Sequence, residues 1–226
     1  MFVLFGADHL AALAVIAVLC ALFIRLRKSL TSTGRVWTGR ILSLSLLAYV
    51  MTIYIKMGLE GNLSWDYSLP LHLCHWVLAA CIVSLWRPLP FTSELAYFWG
   101  LGGTLQALWT PDLGEGFPSW EFIQFFWSHG GILLSIVYLI AVRGFRPRPG
   151  SIVRVFVATN FYALFAGALN FAFGWNYGYL RRAPSQPSLI DYLGPWPWYI
   201  LSLELIALLS FWLLDLPWKL LSGRKA

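Results

Sequence analysis

The stretch ADHLAALAVIAVLCALFI, residues 7–24, decides the fold of this chain because almost every one of its side chains is apolar. A helix needs roughly 20 mainly apolar residues to cross the hydrocarbon core of a bilayer, so this stretch predicts a membrane-spanning helix. No Lys or Arg precedes it, whereas Arg25, Arg27 and Lys28 follow it, which is the reverse of the order in a signal peptide. We therefore interpret it as a retained helix with its N-terminus outside the cell.

The composition of the whole chain agrees with this interpretation. Of its 226 residues, 59% are hydrophobic and only 12% are charged, and the mean hydropathy is +0.68. A soluble domain carries a charged fraction of about one quarter. The 13 Trp and 10 Tyr residues suit aromatic belts at two water–lipid interfaces. The composition therefore excludes an ordinary soluble domain.

Seven stretches have the length and apolar character of a membrane span, and Gly and Pro punctuate most of the connections between them. The spans must be helical because lipid offers no hydrogen-bond partner to an unpaired backbone group. We predict an all-α, polytopic membrane protein, a single seven-transmembrane-helix domain over residues 1–226. The predicted spans are residues 7–24, 37–55, 70–86, 92–110, 121–142, 152–173 and 196–217.

The basic residues fix the predicted orientation. Three of the 16 Lys and Arg residues, namely Lys56, Arg181 and Arg182, fall on one side of the predicted bundle. The positive-inside rule places the richer side in the cytoplasm, so the C-terminus is cytoplasmic and we assign the protein to the cell membrane. The orientation of the protein in the membrane thus accounts for the net charge of +6, and we expect no nucleic-acid partner. The richer side carries Arg25, Arg27, Lys28, Arg35, Arg40, Arg87, Arg143, Arg146, Arg148, Arg154, Lys219, Arg224 and Lys225.

The stretch SLPLHLCHW, residues 68–76, places His72, Cys74 and His75 in the first two turns of the third predicted span. In the predicted topology Cys74 lies roughly 6 Å below the outer start of its helix, and His129 lies roughly 12 Å below the start of the fifth. Ionisable side chains at such depths face the bundle interior or a wet cavity. These residues therefore form a candidate site in the outer half of the membrane.

Other polar side chains are predicted at the same outer level, and each also has a structural interpretation. Glu204 lies in the seventh span and is either part of the site or a paired structural acid. Gln106 and Asn170 lie one turn below the outer ends of their helices, where hydrogen bonds between helices would explain them. His9, at the start of the first span, is expected to be a hydrated interface residue.

Three kinds of function fit this layer of polar side chains in the outer half of the membrane. A cysteine thiolate can attack a carbonyl while a histidine carries the proton. A metal ion could be held by His72, Cys74, His75, His129 and Glu204, although Cys74 and His72 point about 200° apart around their helix and no metal motif supports the set. A transporter could use the layer as a substrate site, but the internal repeats common in transporters are missing from the sequence.

Four stretches of the chain together resemble the YwaF-type family of integral membrane proteins over nearly its whole length. That family includes an animal branch similar to an acyltransferase of ether-phospholipid remodelling, in which a cysteine passes a fatty acyl chain between phospholipids. It is also similar in fold to the androgen-induced membrane hydrolases. The four stretches are LPLHLC at 69–74, WTPDL at 109–113 with FP at 117–118, SHGGILL at 128–134, and NYGYLRRAPSQPSLIDYLGPWPWY at 176–199.

The resemblance implies that Cys74 is the nucleophile and His129 its base. Most members of the family are expected to have a residue other than His75 after LHLC. This leaves open whether His72, His75 or His129 accepts the proton of the thiol. We expect a lipid acyltransferase or acyl-ester hydrolase that acts on a membrane phospholipid without metal or cofactor. The alternatives are a binder or transporter of a lipid-like or small polar solute, and a metal-dependent membrane hydrolase. Residues expected around the substrate are His72, His75, Asn170, Asn176, Tyr177, Tyr199 and Glu204, with Asp191 and Trp196 implied by the long stretch.

The loop between the sixth and seventh spans is about 22 residues long, more than a compact connection needs. Pro184, Pro187, Pro195 and Pro197 stiffen it. We predict that it folds over the cavity as a lid, with Arg181 and Arg182 near lipid phosphates.

Overall fold

The computed structural model of the protein describes residues 1–184 and 188–223, and within them the ordered structure is helical without strands. Ser185, Gln186 and Pro187 of the long signature stretch lie outside the described residues, as do Arg224 and Lys225, which are predicted on the cytoplasmic side. The all-α prediction is confirmed. The helices are α1 (Ala7–Leu26), α2 (Ser32–Leu59), α3 (Leu73–Trp86), α4 (Pro90–Trp99), α5 (Leu105–Trp109), α6 (Trp120–Ala141), α7 (Ser151–Phe173) and α8 (Trp198–Gly223).

Five of these helices, namely α1, α2, α6, α7 and α8, are long and apolar enough to cross a membrane. The protein is therefore an integral membrane protein, as the sequence predicts. Seven spans are predicted, and the structure differs from this prediction at the third and fourth spans. Helix α3 has 14 residues and begins at Leu73 rather than at Pro70, so it rises about 21 Å, short of the roughly 30 Å of hydrocarbon.

The predicted fourth span, residues 92–110, is not one regular helix. It consists of α4 and α5 joined by a π-helical turn over Gly100–Thr104, with the sequence GLGGT. Glycine weakens the preference for regular α-helix, and π turns arise as single-turn insertions within helices. Gly100 is required here for packing as well, because a Cβ atom at this position would clash with Cδ1 of Ile136 in α6.

The chain forms two compact units, and each is described by itself. The first comprises Met1–Leu63 with Val77–Arg146, and the second comprises Ser64–Trp76 with the described residues from Pro147 onward. Helix α3 belongs to the second unit up to Trp76 and to the first unit from Val77.

The first unit is organised around α6, which packs against α1 and α2. The rings of Phe122 and Phe126 lie 4.6 Å apart, within a buried apolar cluster that Ile16 of α1 also joins. Two glycines of α6 let the neighbouring helices approach, because a Cβ atom at Gly130 would lie 2.8 Å from Ile16 and one at Gly131 would lie 2.6 Å from Leu46. The SHGGILL stretch thus sets the spacing of α6 from α1 and α2.

His9 is a structural residue of the first unit, and the expectation that it is hydrated is wrong. Its side chain is fully buried, its Nδ1 accepts from the backbone N–H of Phe5 at 3.1 Å, and its Nε2–H donates to the carbonyl of Leu108 at 2.9 Å. Both ring nitrogens are satisfied, as burial of a polar ring requires. Gln106 is exposed and donates to Thr110 at 3.0 Å, one turn further on, rather than to another helix.

Candidate active site

Cys74 is the second residue of α3 and lies in the second unit. Its thiol is free and half-buried. The first turn of a helix carries partial positive charge from backbone N–H groups that point along the axis, and this favours an anion such as a thiolate. The helix end therefore favours the thiolate form of Cys74, while burial of the side chain opposes its charge. Cys81, two turns further into the same helix, is fully buried.

Two tyrosine hydroxyls hold the segment that leads into α3. The hydroxyl of Tyr177 accepts from the backbone N–H of Leu69 at 3.0 Å and donates to the carbonyl of Trp65 at 2.7 Å. The hydroxyl of Tyr162, from α7, donates to the carbonyl of Leu71 at 2.9 Å. Both tyrosines are buried. Because buried hydrogen bonds are costly to break, these three bonds fix the backbone just ahead of Cys74.

Asn170 and Tyr199 hold the turn that carries Tyr177. The side-chain amide of Asn170, near the end of α7, donates to the carbonyl of Tyr177 and accepts from its N–H, both at 2.8 Å. The hydroxyl of Tyr199, in α8, donates to the carbonyl of Tyr179 at 2.6 Å. The sequence predicts Asn170 either in the site or between helices, and the structure uses it to position the signature turn.

His72 lies among the aromatic rings of this turn. Its ring centroid is 5.2 Å from that of Tyr177, 5.5 Å from that of Tyr179 and 6.0 Å from that of His75. The backbone N–H of Gly178 donates to its Nδ1 in a long hydrogen bond of 3.4 Å. A nitrogen that accepts carries no proton, so neutral His72 carries its proton on Nε2. In this tautomer His72 presents a donor and not a base at Nε2.

His129 of α6 has the opposite tautomer. Its Nδ1 lies 3.0 Å from the carbonyl oxygen of Phe125, which can only accept, so Nδ1 carries the proton. The Ser128 hydroxyl lies 3.0 Å from the same nitrogen, and the ring stacks on Phe125 at 4.2 Å between centroids. Neutral His129 therefore has its lone pair on Nε2, the form that a general base needs. Since His129 belongs to the first unit and Cys74 to the second, their pairing stays a prediction.

The side chains of Asn176 and Glu204 form hydrogen bonds with partners other than His72 and Tyr177. The amide oxygen of Asn176 accepts from the backbone N–H groups of Arg181 and Arg182 at 3.1 and 3.0 Å. Glu204 accepts from the side chain of Asn160 at 3.2 Å, which joins α8 to α7. Glu204 thus matches its structural interpretation as a hydrogen-bonded acid between helices.

Two further residues of the long signature stretch make local contacts. Asp191 accepts from the backbone N–H of Ser188 at 2.7 Å, as one half of a capping box on a short helical turn. The indole of Trp196 donates to the carbonyl of Leu180 at 3.0 Å. Both contacts stabilise the loop itself.

The ligand set of the alternative metal site does not come together. Within residues 1–184 and 188–223, no group of three or more His, Cys, Asp or Glu side chains is placed to hold a metal ion. His75 lies beside His72, while Glu204 is bonded to Asn160. The metal-dependent hydrolase therefore has no ligand set among these residues.

Tyr162 and Gly178 are site residues that the sequence analysis did not select. Tyr162 interrupts the apolar helix α7, and a buried tyrosine hydroxyl needs a partner, so its position was a usable signal. Gly178 has a φ of +67°, and a Cβ atom there would lie 2.6 Å from the Tyr162 hydroxyl. Only glycine fits at this point of the signature turn.

We expect Gly178→Ala to disturb the turn more than a glycine substitution that carries backbone strain alone. Gly61 is the matched control because it has the same φ of +67° but no described atom within 4 Å of the point that an added methyl group would occupy. Gly61→Ala should lower the melting temperature by about 2–4 °C. Gly178→Ala should lower it at least about twice as much, since the added methyl group also displaces Tyr162. Equal losses in thermal unfolding would show that the contact with Tyr162 imposes no constraint.

Fold and site together define an integral membrane protein of apolar helices in which a cysteine lies in the first turn of a short helix and two buried tyrosine hydroxyls hold the segment before it. The chain belongs to the TMEM164 family, whose sequence profile matches residues 4–215. This confirms the predicted relationship to the animal cysteine acyltransferase family. Membership in the YwaF-type family stays a prediction.

The chain is also similar to an uncharacterized protein of Treponema pallidum (strain Nichols), with 34% identity over 121 residues. The match covers 50% of this chain and 47% of the relative, so it spans about half the length of each protein. No solved structure matches this chain.

Proposed function

We propose that the protein is a lipid acyltransferase or acyl-ester hydrolase of the cell membrane, with Cys74 as nucleophile and His129 as general base. The observation that carries the proposal is the free, half-buried thiol in the first turn of α3, on a segment held by Tyr162 and Tyr177. Membership in the TMEM164 family supports a membrane acyltransferase role.

In the first step, Nε2 of His129 accepts the thiol proton and the sulfur of Cys74 attacks the acyl carbonyl of a phospholipid ester. The carbon–oxygen bond of the ester then breaks. The leaving alkoxide takes the proton back from His129 and departs as a lysophospholipid, while the acyl group remains on Cys74 as a thioester. The His129 tautomer supports this role, because its Nδ1–H is held by the Phe125 carbonyl and its Nε2 is the basic atom.

In the second step, a hydroxyl group attacks the thioester while His129 accepts its proton. A new carbon–oxygen bond forms at the acyl carbonyl, the carbon–sulfur bond breaks, and the sulfur of Cys74 recovers the proton from His129. A lysophospholipid hydroxyl as acceptor makes the reaction an acyl transfer, and water makes it a hydrolysis. Developing charge on the carbonyl oxygen needs hydrogen-bond donors. The Nε2–H of His72 and the N–H groups at the start of α3 lie within a few residues of Cys74 in the sequence and are the donors we assign to this role.

An apolar groove in the first unit supports a lipid ligand. It has a volume of about 490 Å³ and lies between α1, α2 and α6, with Ala12, Leu46 and Phe126 among its walls. This volume falls in the range of roughly 300–1,000 Å³ typical of ligand cavities. All three helices are long and apolar enough to span a membrane. An acyl chain is therefore the ligand that matches the apolar lining of this groove.

The same groove favours a second candidate function, a lipid-binding protein without turnover.

One experiment separates the two functions. The purified protein is incubated in detergent micelles with a phospholipid that carries a deuterated acyl chain and with a lysophospholipid acceptor, and the lipids are measured by mass spectrometry. Acyl transfer predicts the label on the acceptor, and hydrolysis predicts labelled fatty acid. Labelled phospholipid that co-purifies unchanged, with neither product, would contradict the proposed enzyme and support the binder.

A further inference from the structure

A basic concavity of the second unit lies where α7 ends and the loop toward α8 begins. It has a volume of about 450 Å³ and is lined by Gly174, Arg181, Arg182 and Trp196. Gly174 is the residue after the last residue of α7, and α8 begins at Trp198. Because both helices are long and apolar enough to span a membrane, their shared end lies at the level of lipid headgroups.

The two guanidinium groups of this concavity are available to a ligand. Both arginines are exposed, and neither forms an ion pair with an acid among residues 1–184 and 188–223. Arg181 uses one of its terminal nitrogens to donate to the carbonyl of Asn170 at 3.2 Å. A guanidinium group has five N–H donors, so most of the donors of Arg181 remain for an anion, and a phosphate can take two of them from one fork.

The backbone that carries the arginine pair is held in place. Asn176 accepts from the N–H groups of both arginines at 3.1 and 3.0 Å and donates to the carbonyl of Arg182 at 3.1 Å. The indole of Trp196, which forms one wall, is anchored on the carbonyl of Leu180 at 3.0 Å. The arrangement is therefore preorganised, which lowers the entropic cost of binding a ligand.

Asn170 connects this concavity to the segment that carries Cys74. Its backbone carbonyl accepts from Arg181, while its side chain holds the backbone of Tyr177. Tyr177 in turn holds the backbone of Trp65 and Leu69, ahead of α3. A ligand on the arginine pair would thus be bound to the same framework that positions the proposed nucleophile.

We propose that Arg181 and Arg182 form a phosphate-binding subsite that recognises the headgroup of a phospholipid and distinguishes it from a neutral acylglycerol. The proposal rests on the proposed function for the role of that phospholipid as substrate. Asn176 is a positioning residue of the subsite, and Trp196 is its wall. Arg181 could instead act only as a cap on the carbonyls at the end of α7. This role explains the hydrogen bond of Arg181 to Asn170 but does not explain why Arg182 lines the same concavity.

The test measures binding without turnover, by ligand-induced stabilisation of the detergent-purified protein. The ligands are dioctanoylphosphatidylcholine, dioctanoylglycerol, which lacks the phosphate, and inorganic phosphate alone. We expect the phospholipid to raise the melting temperature more than the diacylglycerol. In R181Q/R182Q the half-saturating phospholipid concentration should rise about tenfold, and the response to diacylglycerol should stay the same. R25Q/R27Q, which removes the same charge at the end of α1, should behave as the wild type.

Three results would overturn the subsite: an unchanged phospholipid response in R181Q/R182Q, an equal loss in R25Q/R27Q, or a response to inorganic phosphate as strong as that to the phospholipid. The last would identify a site for free phosphate. R181K/R182K should recover part of the lost affinity, which a purely structural defect of the loop would not allow. If binding follows the prediction while the wild type transfers no acyl group, the subsite stands and the proposed reaction is wrong.

Discussion

Cys74→Ala should lower acyl turnover by about 10³-fold or more, because the proposed reaction has no second nucleophile. Cys74→Ser should lose nearly as much, since a serine hydroxyl is far harder to deprotonate than a thiol. The measurement is the rate at which a deuterated acyl chain leaves its phospholipid. The thiol is half-buried, so its removal leaves a small defect and the melting temperature should change little.

Cys81→Ala and Cys20→Ala are the matched controls. Cys81 lies in the same helix as Cys74 but is fully buried, and Cys20 lies in α1. Both variants should keep wild-type turnover, because both side chains fill apolar space. If Cys74→Ala kept more than about half of the wild-type rate, the assignment of the nucleophile would be wrong.

His129→Ala should lower turnover by about 10²–10⁴-fold, the usual contribution of a general acid–base residue. The physical reason is that Nε2 of His129 is the basic nitrogen, while Nδ1–H is held by the Phe125 carbonyl. The variant combined with Cys74→Ala should be no slower than either single variant, because residues that act as one unit are not additive. The same assay of deuterated acyl transfer measures all three proteins.

His72→Ala and His75→Ala test the choice of histidine. In the tautomer that its contact with Gly178 requires, His72 has its proton on Nε2, so it should act as a donor and its loss should cost less than that of His129. His75 lies next to Cys74 and contacts the His72 ring. If either variant were inactive while His129→Ala remained active, the base would have to be reassigned to that histidine.

Hydropathy predicts the membrane helices well, because the cost of exposing polar groups to lipid acts on each stretch independently of the rest of the chain. The predicted spans 152–173 and 121–142 agree with α7 and α6 to within one residue at each end. The prediction is less accurate where local geometry prevails over hydropathy. Pro70 lies in a turn rather than in α3, and the glycine-rich stretch Gly100–Thr104 forms a π turn inside the predicted fourth span.

The candidate site was predictable as a set of residue types but not as a set of contacts. The sequence singles out His72, Tyr177, Asn170 and Tyr199, and the structure places all four around one turn. Their roles depend on hydrogen bonds to backbone groups far away in the chain, such as the bond from Tyr162 to Leu71. A hydrogen bond to a backbone group cannot be recognised from the residue types of the sequence. For this reason the sequence alone also allows Asn170 to form hydrogen bonds between helices.

The central claim is that an acyl group rests on the sulfur of Cys74 during turnover. The most direct measurement is the mass of the peptide that contains Cys74 after the protein has reacted with a phospholipid carrying a deuterated acyl chain and has been quenched in acid. We predict an added deuterated acyl group on Cys74, removable by neutral hydroxylamine as a thioester is, and absent in Cys74→Ala. Full turnover with the label on another residue, or with an unmodified Cys74 under every quench time, would contradict the claim.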